Sequence, residues 1–311
     1  MIISASRRTD IPTYFSRWFF NRLREGFVYV RNPMNYYQVG KISLKPDVVD
    51  AFVFWTKNPI PMLPRIHELD GYTYYFQFTL NPYGRDAEPN VPPKDEKMVP
   101  VFQQLSKEIG RERVVWRYDP IFFNETYDLD YHRKSFRTLA EKLADYTETC
   151  TISFVDLYEK TKRNVKPLAL AEENVAREEE LAAYMADVGR ELGFTVNACA
   201  EAVDLSKYGI GHASCIDRER LERIGNFKMD VKKDPNQRAE CGCVESIDIG
   251  AYNSCPNGCL YCYANFSRNA VSTNYARHNP ESPFLIGEEG PNDVIKERKM
   301  KSFVEAQMKL F

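Results

Sequence analysis

The chain has 311 residues, 43% hydrophobic and 28% charged, enough to bury one sizeable core with a small appendage. No apolar run reaches the roughly 18 residues of a membrane span, and the opening MIISASRRTD lacks the apolar stretch of a secretory signal. That excludes a membrane partner and leads us to expect a cytoplasmic protein with reduced thiols, while a net charge of -2 leaves nucleic acid only a local basic patch to bind.

The first two hundred residues repeat one pattern: a short β-branched and aromatic run, a polar cluster, then a segment of helical period. MIISAS leads through RRTD to a helix from about Tyr14 to Glu25, and AFVFW through TKNP to a helical segment ending near Leu69. TYYFQFTL leads through NPYG and a Pro-rich loop to a helix from about Lys94 to Ile109. RVVWRY leads to a helix from about Tyr131 to Leu143, CTISFV through DLYEK to one from about Ala171 to Leu192, and FTVNAC to AE. Strands alternating with helices predict βαβ units and a parallel sheet. FVYVRNPMNYYQVGKISL interrupts the pattern as a hairpin, a flap or an edge. PNDVIKERKMKSFVEAQMKL reads as an amphipathic terminal helix.

The polar residues cluster. Arg7, Arg8 and Asp10, Lys57 and Asn58, Asn81, Arg117 and Asp119, Asp156, and Glu201 all fall at or just past the C-terminal ends of expected strands. In a β/α barrel those ends form the active-site face. Each residue alone is equally well read as a helix cap or a strand bridge. Six strand ends behaving alike suit a charged ligand in a barrel mouth, so the expected fold is α/β, a partial (β/α) TIM-like barrel. Its body spans residues 1–200, a cysteine-rich segment follows over 201–250, and 251–311 completes the barrel.

Cys255, Cys259 and Cys262 form C-x3-C-x2-C after the strand-like SIDIGAY. Three thiolates so spaced can each reach one iron of a 4Fe-4S cluster and leave the fourth open, whereas full ligation takes four cysteines. Zinc usually takes a second C-x2-C pair, which is missing here.

This spacing, with Tyr261 before the third cysteine, resembles the signature of the radical S-adenosylmethionine (SAM) superfamily, and CLYCYA is closest to its spore photoproduct lyase-like branch. The whole chain resembles an uncharacterised bacterial family of unknown function through SRRTDIP, VFWTKNP, WRYDPI, ISFVD, QRAECGC and DIGAYNSCPNGCLYCYAN. In that superfamily the motif normally follows the first barrel strand. Its late position here implies a circularly permuted barrel, with SIDIGAY beside MIISAS and the cluster loop over the same mouth. The resemblance further implies that the open iron chelates SAM, that one electron cleaves a carbon–sulfur bond, and that the resulting 5'-deoxyadenosyl radical abstracts hydrogen from an unidentified substrate. A reductase or flavodoxin-type partner would supply the electron. The usual GGE-like SAM amino-group motif is missing, and SRRTD stands at its position, so Arg7, Arg8 and Asp10 become the candidates for the aminocarboxylate. Tyr261 and Asn81 count with the cofactor-binding residues, and Lys57, Arg117, Asp119 and Asp156 with the catalytic ones.

Of the remaining thiols, Cys150 reads as core. Cys199, Cys215, Cys241 and Cys243 are candidate metal ligands, for a second 4Fe-4S cluster or for zinc, with unligated thiols the remaining reading, and the auxiliary clusters of radical SAM relatives favour iron. His212 is a possible substitute ligand. Two other functions compete: lyase-like DNA lesion repair, and a non-catalytic iron–sulfur or zinc electron-transfer protein.

Overall fold

The computed structural model describes residues 1–156, 161–201 and 203–305. Its strands are β1 (Ile2–Ala5), β2 (Phe27–Asn32), β3 (Asn35–Ser43), β4 (Ala51–Thr56), β5 (Thr73–Thr79), β6 (Val114–Ile121), β7 (Thr149–Phe154), β8 (Thr195–Ala198), β9 (Gly211–His212), β10 (Ile247–Asp248) and β11 (Val294–Glu297). Its α-helices are α1 (Ile11–Tyr14), α2 (Ser16–Glu25), α3 (Val99–Ile109), α4 (Leu129–Leu143), α5 (Lys162–Val165), α6 (Val175–Leu192), α7 (Arg218–Gly225) and α8 (Arg268–Ala276).

Eight strands form one sheet in the order β10-β1-β4-β5-β6-β7-β8-β9, and every adjacent pair in it is parallel. The expected alternation of strands and helices therefore gives a mixed α/β fold with a large parallel sheet. The strand order has two ends, β10 and β9, so a closed barrel is not what the pairing shows. SIDIGAY does lie beside MIISAS: Ile3 pairs with Ile247 and Ser4 with Asp248. Arg117 and Asp119 lie inside β6 rather than past its end, because that strand runs on to Ile121.

Both faces of the sheet are buried, as parallel strands require. Alternate residues point to opposite faces. Ile3, Phe52, Phe54, Phe76, Trp116 and Ile152 join the main core with side chains of α2, α3, α4 and α6. There Trp116 stacks on Phe136 of α4 with ring centroids 5.0 Å apart. Ile2, Ala51, Val53, Tyr75 and Val115 face the other way, onto Cys215, Ile216, Leu221, Met229 and Cys243. The segment after β8 thus covers the second face and also supplies both edge strands, β9 and β10.

Local chemistry sets the helix limits. The Asp128 side chain accepts from the Tyr131 N–H to start α4, and Asn174 does the same for Arg177 at α6, a few residues later than the apolar period suggested. Among the described residues no helix is long and apolar enough to cross a membrane.

The hairpin forms as expected, β2 antiparallel to β3, but in a separate three-stranded sheet. Its third member corrects the expected terminal helix. Val294–Glu297 pairs in parallel with Gln38–Lys41, and the Arg298 N–H continues the ladder to the Lys41 carbonyl. An open edge of β3 supplies partners for the backbone, while Met300 and Phe303 pack into the two cores from an extended chain. Long-range pairing overrides the helical period. Residues 306–310 of that expected helix, Phe311 after it, and Leu157–Lys160 of DLYEK lie outside the described residues.

Candidate functional site

A cavity of about 430 Å³ opens near the C-terminal ends of β1, β4, β6 and β7 and is lined by seven of the eight cysteines, all but Cys150. Arg7, Arg8, Asp10, Lys57, Arg117, Asp119, Asp156 and Tyr261 line it too. Residues expected at one mouth from scattered positions therefore do meet. Ligand crevices of parallel sheets lie outside these strand ends.

The loop that carries Cys255, Cys259 and Cys262 is fixed from three sides. Gly258, between the first two cysteines, has φ +71°, a conformation side-chain-bearing residues resist. Next to it, Asn257 Nδ2 donates to Asp10 Oδ2 at 3.1 Å, and Tyr14 Oη donates to Asn257 Oδ1 at 3.0 Å. Asp10 Oδ2 also accepts from the Lys57 N–H at 2.8 Å, and its Oδ1 caps α1. Burial pushes the Asp10 carboxyl up against these donors. Its oxygens are occupied by the scaffold. At the far end of the loop, Tyr263 Oη donates to the Arg7 carbonyl at 2.7 Å.

Behind the loop lies a residue the sequence did not reveal. Glu88 is fully buried and accepts from Lys57 Nζ at 2.7 Å, Lys94 Nζ at 2.5 Å and the Tyr261 hydroxyl. Burial alone would raise its pKa, but Lys57 and Lys94 outweigh it and hold the carboxyl at about 2. Lys57 in turn offsets part of the rise that burial imposes on the Cys259 thiol, which is pushed up to about 12.

Arg7 and Arg8 are adjacent but differently used. Asp248 on β10 accepts from the Ser4 hydroxyl at 2.9 Å, the Arg7 N–H at 2.9 Å and the Ser6 hydroxyl, and its Oδ1 lies 3.5 Å from Arg8 Nε. The approach is close enough that a Cβ on Gly250 would collide with the Ser6 side chain. Arg8 also lies over the Tyr252 ring. The Arg7 guanidinium sits over Trp55, yet its Nε and Nη2 are buried without a hydrogen-bond partner, as are Thr9 Oγ1 and Asn265 Oδ1. All three residues line the cavity. Buried polar atoms are normally paired, so three orphans facing one cavity mark a place for a polar ligand.

Arg117 spends Nε and Nη2 on Asp119 and donates from Nη1 to Cys215 Sγ at 3.0 Å. Asp156 pairs with Arg238 at the rim. Asn81, expected to bind cofactor, does not line the cavity. Its Nδ2 donates to the Asp119 carbonyl at 2.9 Å and its Oδ1 accepts from the Asp119 N–H at 2.7 Å, bracing the chain after β5 against β6. Asn58 and Glu201 also lie outside the lining. Asn58 folds back on its own turn, accepting from the Ile60 N–H, and Glu201 accepts from the Phe154 N–H at 2.8 Å, with burial pushing its carboxyl up to about 7. His212 is exposed and lines a different cavity with Gln77 and Arg220. Cys150 is fully buried in the main core.

Among the described residues no three His, Cys, Asp or Glu side chains surround a single ion. A 4Fe-4S cluster asks for something else, because each thiolate takes its own iron and the iron–sulfide core lies between them. Three thiols on one braced loop, two buried and Cys262 half-buried, lining a common cavity, fit that demand.

Fold and site together define an α/β protein with a parallel sheet and a thiol-lined cavity near its strand ends. The chain belongs to the family described as Domain of unknown function (DUF1848), whose match covers residues 2–264 and so includes the whole eight-stranded sheet and every cysteine. No curated protein matches the chain in sequence. Among solved structures it is similar to the Bacillus cereus enoyl-acyl carrier protein reductase with NADP+ and indole naphthyridinone, at 19% identity over 56% of this chain and 79% of the reductase. The TM-score of 0.24 is too low for that likeness to carry an argument.

Proposed function

We propose that the chain is a radical SAM enzyme built on a partial, circularly permuted β/α barrel, with Cys255, Cys259 and Cys262 holding a 4Fe-4S cluster. The observation that carries this reading is the meeting of those three thiols with the unpartnered guanidinium of Arg7 in one cavity. A guanidinium pairs a carboxylate through two charge-assisted hydrogen bonds, so Arg7 binds the carboxylate of the cofactor's amino acid portion. Thr9 Oγ1 and Asn265 Oδ1 are further unpaired polar atoms in that wall, the second an acceptor suited to an ammonium group. When bound, the cluster and SAM supply one-electron cleavage of a carbon–sulfur bond, the chemistry that begins hydrogen abstraction. Trp55, Phe154 and Tyr261 supply the apolar walls that exclude water from it.

The test is anaerobic reconstitution with iron and sulfide, an iron count, and an assay for reductive SAM cleavage to 5'-deoxyadenosine. Wild-type protein should cleave SAM, and a Cys255→Ala, Cys259→Ala, Cys262→Ala variant should stay folded without doing so. Cleavage retained by that variant overturns the assignment. A reconstituted cluster whose electron paramagnetic resonance spectrum ignores SAM would point instead to electron transfer.

One observation favours a second reading of the substrate. A neighbouring cavity of about 920 Å³ shares Arg8 and Tyr263 with the first and carries Arg31, Arg277, Tyr36, Tyr252 and Phe284. Arginines interleaved with aromatic rings suit stacked bases and phosphates, as lesion repair on DNA needs. Fluorescence anisotropy with a single-stranded oligonucleotide tests it: binding should weaken with added salt and on Arg277→Ala.

A further inference from the structure

The second set of thiols comes from separate parts of the chain. Cys199 follows β8, Cys215 follows β9, and Cys241 and Cys243 lie in the turn before β10. They nevertheless gather on one wall of the cavity. Cys199 Sγ and Cys215 Sγ are 3.2 Å apart, and Cys241 and Cys243 line the same cavity wall and pack in the same cluster as Cys215. Arg117 Nη1 donates to Cys215 Sγ at 3.0 Å, and the Ile216 N–H donates to Cys243 Sγ at 3.3 Å. Packing alone does not call for this. The neighbours of these thiols are Ile216, Leu221, Met229 and Val231, and four aliphatic side chains would fill the same space without drawing two polar donors inward.

The spacing also discriminates between metals. Thiolates on one zinc ion stand at about 2.3 Å from it, which puts neighbouring sulfurs on a tetrahedron edge of about 3.8 Å. Thiolates at the corners of an iron–sulfur cluster bind different irons and stand much farther apart. Cys199 Sγ and Cys215 Sγ, 3.2 Å apart, stand close to that edge and well inside a cluster's spacing, and since the four thiols as they lie do not surround one point, their side chains must rotate to close on an ion.

We propose that Cys199, Cys215, Cys241 and Cys243 form a closed tetrathiolate site for one zinc ion, distinct from the Cys255–Cys259–Cys262 site and independent of its chemistry. Four protein ligands leave no open position, so the ion is structural. It ties the chain from Cys199 to Cys243, which is short of regular elements, onto the second face of the sheet and fixes one wall of the cavity. The donors from Arg117 and Ile216 offset the excess negative charge of the thiolates.

Metal content tests this without any activity measurement. The variant lacking Cys255, Cys259 and Cys262, expressed with both iron and zinc present and purified without chelator, should hold about one zinc per chain and no iron. Cobalt(II) put in place of zinc should give the sulfur-to-metal charge-transfer absorption of a tetrathiolate. Adding Cys241→Ser should reduce zinc retention at least tenfold while far-ultraviolet circular dichroism still reports a folded chain. About four irons and no zinc in the first variant after anaerobic reconstitution would overturn the proposal in favour of a second cluster. So would a metal-free protein whose four thiols titrate freely or form a Cys199–Cys215 disulfide. Failure of SAM cleavage by wild-type protein would leave the zinc count unaffected.

Discussion

Asp10 and Asn257, 247 positions apart in the chain, are joined by a buried hydrogen bond of 3.1 Å from Asn257 Nδ2 to Asp10 Oδ2. This contact fixes the cysteine loop to the loop after the first strand. It is what makes one site of the chain's two ends.

Removing the carboxylate leaves three donors, the Lys57 N–H, the Asn257 amide and the Thr13 N–H that starts α1, without a partner. Asp10→Ala should therefore cost about 3–5 kcal/mol in urea denaturation, since each of the three stranded donors costs at least roughly 1 kcal/mol. Asn257→Ala should cost less, and the double variant should fall short of the sum, because the two changes remove one shared bond. Strict additivity would show that the contact carries no coupling.

The two adjacent arginines should separate cleanly. Arg7 has two unpartnered N–H donors in the cavity, whereas Arg8 is engaged by Asp248 and Tyr252. Arg7→Lys cannot reproduce a two-point clamp and should weaken SAM binding by about 1–3 kcal/mol with no loss of iron. Arg8→Lys should leave it close to wild type. Calorimetric titration of the anaerobically reconstituted proteins distinguishes them, and equal affinities for both variants and the parent would remove Arg7 from the site.

Glu88 bridges two lysines from a fully buried position. Glu88→Gln leaves Lys57 and Lys94 facing each other without a carboxylate, and breaking such a buried arrangement should cost about 3–5 kcal/mol. Returning the group to its original net charge with Lys94→Met in the same chain should recover part of that loss. Denaturant midpoints of the three variants read this directly, and an unchanged midpoint in Glu88→Gln would show that water already solvates the lysines.

Acid should weaken the fold through His132. Its Nδ1 accepts from the Tyr118 hydroxyl at 2.8 Å and its Nε2–H donates to the Phe122 carbonyl at 2.9 Å, a pattern only the neutral ring satisfies. Burial lowers its pKa from 6.5 to about 4. The unfolded chain therefore takes up the proton first. This contribution is complete above pH 6.5 and declines as the pH falls toward 4, by about 3 kcal/mol in all. His132→Phe should be less stable at neutral pH but should lose the slope in this window. Urea midpoints at pH 7, 5.5 and 4 test it.

How far the sequence reached depended on the range of the interaction that decides each feature. Alternating strand and helix periods over the first two hundred residues identified the parallel sheet, because Phe52 and Phe54 or Trp116 and Tyr118 carry their burial in their own spacing. The spacing of Cys255, Cys259 and Cys262 was legible for the same reason: three ligands on one short loop are local. The strand at Ile247 was placed beside Ile3 only by supposing a barrel order, and the pairing of those residues is a tertiary fact. Glu88 in a Pro-rich loop and Asn257 inside the cysteine motif gave no signal, since their roles exist only once Lys57, Lys94 and Asp10 are folded against them. Asn81 looked like Lys57 in sequence, but its amide closed on the backbone of Asp119 instead of facing the cavity. Val294 to Glu297 carried a helical period and became a strand, because the open edge of β3 offered the backbone partners that a marginal helix could not match. Local periodicity and ligand spacing were thus set by the sequence itself, while the partner of each buried charge and each strand edge was decided by the folded chain, where groups hundreds of residues apart compete for the same hydrogen bonds.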